Sequence, residues 1–211
     1  MIRKTIDHAI ARVAAWALRS LPQVTYKNII LADVNHDEAD DQEFLSRTKE
    51  ALDLIERVDP RRFRRVQNEI KYIVNAELIS TGQYWRENKV CPVDFGRFRL
   101  WPNQDWALHF YAGLLVHEAT HGRLHARGIS YTQATRERIE RLCEMEARRF
   151  LGRARPEWAE QMFGRFNPSD WSLAWYGSRW RRLRFLWKRI RESKRIANKS
   201  LHLTEAQCPD K

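Results

Sequence analysis

The sequence predicts an α+β fold, mainly helical, with a small mixed β-sheet beside one central helix, on three observations. Residues 105–125 and 132–151 carry apolar side chains at helical spacing. Between them and the N-terminal third, Gly82, Pro92, Gly96 and Pro102 break the chain into short strand-like pieces. Over 211 residues, 43% hydrophobic and 31% charged content is enough apolar material to bury one domain core.

The elements follow in order. Residues 2–20 read as an amphipathic helix, with Ile2, Ile6, Ile10, Val13 and Ala17 on one side. Asp7, His8 and Arg12 interrupt any secretory signal core there. Residues 24–34 (VTYKNIILADV) fit a short strand or a turn of helix. The acidic run 36–42 reads as a loop leading into a helix over 43–58, where Phe44, Leu45, Thr48, Leu52 and Ile55 recur at helical spacing. Asp59-Pro60 ends that helix and starts another, because proline has no N–H to lose at a first helical position. Residues 61–78 read as a helix running into a strand. VCPVDF and RFRLW, within 80–104, read as two β elements. Asn103 or Asp105 then caps the helix 105–125, which Gly128 closes. A second long helix covers 132–151, and 156–168 is irregular or short helix. Ser169 can cap a last helix to about residue 196.

Charge and cysteine usage narrow the function classes. Residues 171–199 hold ten of the 38 Lys and Arg against the single acid Glu192, so this segment carries +9 of the net +11. The basicity belongs to the C-terminal stretch and not to the body of the chain. No apolar run approaches the length of a bilayer span. Cys91, Cys143 and Cys208 are odd in number and scattered, which excludes a disulfide framework and a cysteine-type zinc finger and fits the cytoplasm.

The chemistry concentrates in LLVHEATHGRLH, residues 114–125. His117 and His121 stand four apart, so on a helix both imidazoles leave from one face and can share one metal ion, for which zinc is the usual choice. Glu118 is displaced about 100° around the helix from His117, within reach of a metal-bound water whose proton it can take. Seven His and sixteen Glu would produce this spacing by chance in roughly 2% of such chains, so the context decides. Leu114, Leu115 and Val116 would bury the helix, while Ala119, Thr120 and Gly122 are small enough for a neighbour to approach. His125 lies eight residues from His117, about 12 Å along the axis, and reads as a structural or rim residue. A third ligand is expected on the helix over 132–151, where the small residues Cys143 and Ala147 mark a helix contact and Glu140 flanks it.

At this point residues 114–151 resemble the zincin metallopeptidases, and within them the gluzincins. These follow HExxH by roughly 18 to 25 residues with a glutamate ligand on a second helix. The resemblance implies Zn2+ held by His117, His121 and Glu140, Glu118 as general base, and Glu144 hydrogen-bonded to a ligating histidine. A metzincin pattern is excluded, because Leu124 and Arg127 stand where Gly and His are required. HEATHGRLH with E-M-E-A-R-R-F, residues 144–150, is also similar to ImmA/IrrE-type peptidases, and on that reading Glu144 is the ligand. Glu146 is a third option. Cys143 reads as core. Tyr131, Tyr84, Tyr111 and His109 are candidates to steady an oxyanion, and the β pieces over 71–101 are candidates for an edge strand that binds an extended peptide.

The expectation is therefore a zincin-like domain over 1–168 and a basic, Trp-rich helical extension over 169–211. The function expected is peptide-bond hydrolysis of a peptide or protein through a metal-activated water. The other reading is a catalytically silent, metal-stabilised binding module. It would act through residues 171–199, where Trp171, Trp175, Trp180 and Trp187 share a helix with the arginines, on an anionic membrane surface or nucleic acid.

Overall fold

The computed structural model describes residues 21–34, 38–78 and 80–162. All of these belong to one compact unit. The expected helices over 2–20 and 169–196, and with them the basic segment 171–199, lie outside the described residues.

The chain enters through a hairpin, β1 (Gln23–Tyr26) and β2 (Ile29–Asp33), antiparallel and in register from Gln23 opposite Ala32 to Tyr26 opposite Ile29. Its two-residue turn, Lys27 and Asn28, has both φ angles positive, 49° and 66°, the geometry whose twist matches that of the strands. Of the two expectations for 24–34, the strand is correct.

Helix α1 (Glu38–Val58) follows, then α2 (Pro60–Glu69). Asp59 caps α2 by accepting from the Arg62 backbone N–H, with Pro60 in the first turn. The α1–α2 pair forms the crossover to β3 (Tyr72–Asn75), which pairs parallel to β2. The chain then passes alongside the next strand before entering it, β4 (Val90–Val93), parallel to β3. The four-stranded sheet thus runs β1-β2-β3-β4 and is mixed.

On the outer side of β4 lies the segment 81–85, antiparallel to it through Gly82 opposite Val93 and Trp85 opposite Val90. Gln83 N donates to Pro92 O, Asp94 N to Thr81 O and Trp85 N to Val90 O. The Pro92 carbonyl, and so also its missing N–H, faces this outer segment rather than β3, which is where a sheet tolerates proline.

RFRLW forms no strand. Gly96–Arg99 is one turn of helix, α3, with Arg99 N bonded to Phe95 O and the Arg97 guanidinium on Asp94. The R-F-R-L alternation of residues 97–100 imitates a strand, but Phe95 and Phe98 pack edge to face at 5.3 Å, and Phe98 also meets Tyr111.

Helix α4 (Gln104–Ala126) is capped by Asn103, whose side chain accepts from Trp106 N. Helix α5 (Arg136–Ala154) begins four residues later than the sequence suggests, because Ser130, Thr132 and Thr135 bond to one another in a separate turn. A 3-10 turn (Pro156–Trp158) and α6 (Ala159–Met162) end the described chain.

The apolar core gathers Ile29, Leu31, Phe44, Leu52, Ile55, Val66, Ile73, Leu115, Phe150 and Leu151, all fully buried. Helix α4 runs through the middle of it, so Leu114, Leu115, Val116 and Ala119 are buried. No helix of the described residues is long and apolar enough to cross a membrane.

Candidate metal centre

Burial of α4 fixes what its polar residues face. Ala119 is fully buried, and on the facing helix α5 so are Cys143 and Ala147. These small residues let the helix axes come close. Gly122 opens α4 on another side: a Cβ there would meet Glu69 Cβ at 2.8 Å and the Tyr84 ring at 2.9 Å.

On the α5 side three donor atoms converge. His117 Nε2 and His121 Nε2 are 3.2 Å apart. Glu140 Oε2 lies 3.3 Å from the first and 3.5 Å from the second. Glu140 is 2% exposed, yet this oxygen is buried with no hydrogen-bond partner; the imidazoles face it without hydrogen-bond geometry. A buried carboxylate oxygen without a partner is costly. The triangle has the dimensions of a ligand set, since tetrahedral bonds of about 2.0–2.1 Å place donors about 3.3–3.4 Å apart. The other oxygen, Oε1, accepts a 2.6 Å hydrogen bond from the Tyr131 hydroxyl.

Cys143, one turn along α5 from Glu140, belongs to the same cluster. Its sulfur and donor nitrogens of His117 and His121 lie within 4.8 Å of one another. The sequence placed Cys143 in the core, where it is, without its nearness to the imidazoles. The available signal was its position three residues after Glu140, on the face turned to α4.

The electrostatics are those of a buried acid facing two imidazoles. Burial raises the Glu140 carboxyl, but His117 and His121 outweigh it and hold the group far below the carboxylate range. Burial works against protonating His121, but Cys143 and Glu140 push the imidazole above its ordinary value. Burial raises the Cys143 thiol, opposed by His121. Burial also raises Glu118, only partly offset by His117 and His121. Glu118 is 4% exposed, and the Cys91 thiol in β4 is raised by its own burial first and by the nearby Glu118 second.

The remaining expected residues fall in different places. Glu144 is partly buried on α5, one turn beyond Glu140; the two oxygen–imidazole distances above belong to Glu140. Glu146, the third option, is paired elsewhere. Its Oε2 pairs with Arg65 at 2.6 Å and Arg62 at 3.3 Å, and its Oε1 with Arg149 at 2.9 Å. His125 is exposed near the end of α4. Tyr111 bonds Thr48 in the core, His109 bonds the Asp105 carbonyl and stacks on Trp158, and Tyr84 donates to the Glu69 carbonyl. Of the four oxyanion candidates, Tyr131 is the one in contact with the cluster, where it also packs edge to face on His121 at 5.7 Å.

The chain matches no protein-family model, no curated protein and no solved structure.

Proposed function

We propose that this protein is a zinc-dependent peptidase in which His117, His121 and Glu140 hold the ion and Glu118 is the general base. The observation that carries the reading is the buried Glu140 Oε2, which faces both imidazole nitrogens at 3.3 and 3.5 Å without a hydrogen bond of regular geometry. Two imidazoles, a carboxylate and a nearby thiol favour zinc over the hard cations magnesium and calcium. Bound there, zinc would supply a Lewis acid and an acidified water.

The chain's own residues supply the rest. Glu118 follows His117 on α4 and turns to a different side of the helix, toward β4, so it is free to move protons while the histidines ligate. Burial keeps its carboxyl more basic than usual, which suits a group that takes a proton from water and returns it to a leaving amine.

The outer segment 81–85 supports a peptide as substrate. Its residues 81, 83 and 85 bond inward to β4, so by strand alternation the backbone groups of Gly82 and Tyr84 face outward. That edge lies along α4, with Gly82 against Leu114 and Tyr84 against Gly122. An extended peptide added to this edge would lie beside Glu118. The free, buried thiols of Cys91 and Cys143 fit a reducing compartment such as the cytoplasm.

The test is Glu118→Gln in zinc-loaded protein, with cleavage of a peptide library read by mass spectrometry. The variant is expected to keep its zinc and lose about 10²–10⁴-fold in rate. Cleavage at the wild-type rate in Glu118→Gln would refute the catalytic assignment.

A further inference from the structure

The two oxygens of Glu140 stand in different surroundings. Oε2 faces the imidazole nitrogens of His117 and His121. Oε1 accepts from the Tyr131 hydroxyl at 2.6 Å, shorter than most neutral hydrogen bonds and typical of an O–H on a charged oxygen.

Tyr131 is brought there by a loop hydrogen-bonded on both sides of it. Gly128, at φ +79°, ends α4, with Gly128 N on His125 O and Ile129 N on Leu124 O. On the other side Thr132 N donates to Thr135 Oγ1 at 2.9 Å, Thr135 Oγ1 donates to Ser130 O at 2.6 Å, and Arg136 N to Thr132 O. The Tyr131 backbone is therefore held from both ends, and its ring rests against His121. Hydroxyl and ring each touch one of the proposed ligands.

We infer that Tyr131 is a positioning residue that makes Glu140 a one-oxygen ligand, so that one coordination position stays open for water. The inference rests on the metal-site reading above. A carboxylate beside a metal ion binds through one oxygen or through both. A donor fixed on Oε1 stabilises that oxygen away from the ion and leaves Oε2 to bind. Catalytic zinc sites keep a four-coordinate ion with water in the open position, and partners of this kind tune the metal they do not touch; Cys143 Sγ, in the same cluster, is the protein donor that would fill that position, and Cys143→Ala is expected to leave the wild-type cobalt bands unchanged. Without the hydroxyl, Oε1 is free to turn onto the ion as a fifth donor beside the water.

The experiment replaces zinc with cobalt(II) in the full chain and reads its visible d–d absorption, which is intense for four-coordinate and weak for five-coordinate ions. Wild type is expected to show the intense bands. Tyr131→Phe, which removes only the hydroxyl of a residue that is 40% exposed, is expected to bind cobalt but lose them. Ile129→Ala, altering the same loop without touching Glu140, is expected to keep them. Wild-type bands in Tyr131→Phe, or equal loss in Ile129→Ala, would overturn the role of the hydroxyl while leaving the metal site standing. Failure of the wild type to bind cobalt would overturn both. Independently of any Tyr131 variant, the infrared carboxylate splitting of zinc-loaded wild type against Glu140→Gln is expected to be that of a one-oxygen ligand, and a two-oxygen splitting would contradict the proposal.

Discussion

Glu140 and Glu146 sit on one helix, fewer than two turns apart, and both are held below the ordinary carboxylate range. They differ in what surrounds them. Glu146 is matched by guanidinium groups on both oxygens, from Arg65 and Arg62 of α2 and Arg149 of its own helix. Arg65 continues to Thr120 on α4, and Arg62 to Asp59, which also takes Arg153. This is a cross-link of three helices in which both Glu146 oxygens are paired within the protein, while the buried Arg62 Nε and Arg65 Nε lack a hydrogen-bond partner. Glu140 has one oxygen satisfied by Tyr131 and one turned toward two nitrogens that do not hydrogen-bond it. A buried carboxylate matched by arginines stabilises a fold, whereas one facing imidazoles is, on the function proposed above, part of a metal site. The contrast separates two roles for acids that stand six residues apart in the sequence, one on each side of Cys143.

Breaking the arginine cluster should have the largest effect on folding. Glu146→Ala leaves Arg65, over nine-tenths buried, without its carboxylate and Arg62 with Asp59 alone, and is expected to cost about 3–5 kcal/mol in denaturant unfolding. Loss of less than about 0.5 kcal/mol, the usual range of a surface change, would show that the cluster is not structural.

The histidine cluster should respond to zinc instead. At a free concentration of about 100 times Kd, a ligand that binds only the folded state adds about 2.7 kcal/mol. Thermal unfolding with and without zinc should show that increment in wild type and in Glu146→Ala, but not in Glu140→Ala. An equal increment in Glu140→Ala would place the ion elsewhere.

A smaller effect separates the two by pH. Burial raises the Glu146 carboxyl, but hydrogen bonds from Arg65 and Arg149 outweigh it, so its folded pKa lies below its unfolded one. Its contribution is therefore fully present above the ordinary glutamate value and is lost as pH falls through the depressed folded value. Glu146→Gln should flatten that acid limb of the stability curve in metal-free protein. An unchanged limb would assign acid lability to other carboxylates, Asp59 first, which Arg62 and Arg153 lower in the same way against its burial.

These two clusters also show what the sequence could and could not reveal. The i, i+4 spacing of His117 and His121 and the small residues of α4 and α5 made a shared site legible, because helical geometry is local. The choice among Glu140, Glu144 and Glu146 was not legible, because it depends on the rotation of α5 against α4 and on α2, which fills one side with Arg62 and Arg65. Asp59-Pro60 announced a helix start through its own chemistry. The turn at Lys27-Asn28 escaped because neither residue is glycine, and RFRLW misled because aromatic packing around Phe98, not alternation, decides its conformation. The Tyr131 contact required knowing where the α4–α5 loop returns.

The most direct measurement is zinc content after loading and gel filtration, for wild type beside Glu140→Ala, Glu144→Ala and Glu146→Ala. About one zinc per chain, the stoichiometry of a single tetrahedral site, is expected in wild type, Glu144→Ala and Glu146→Ala, with loss of zinc confined to Glu140→Ala. Full zinc in Glu140→Ala, or none in wild type, would contradict a metal centre built on His117, His121 and Glu140.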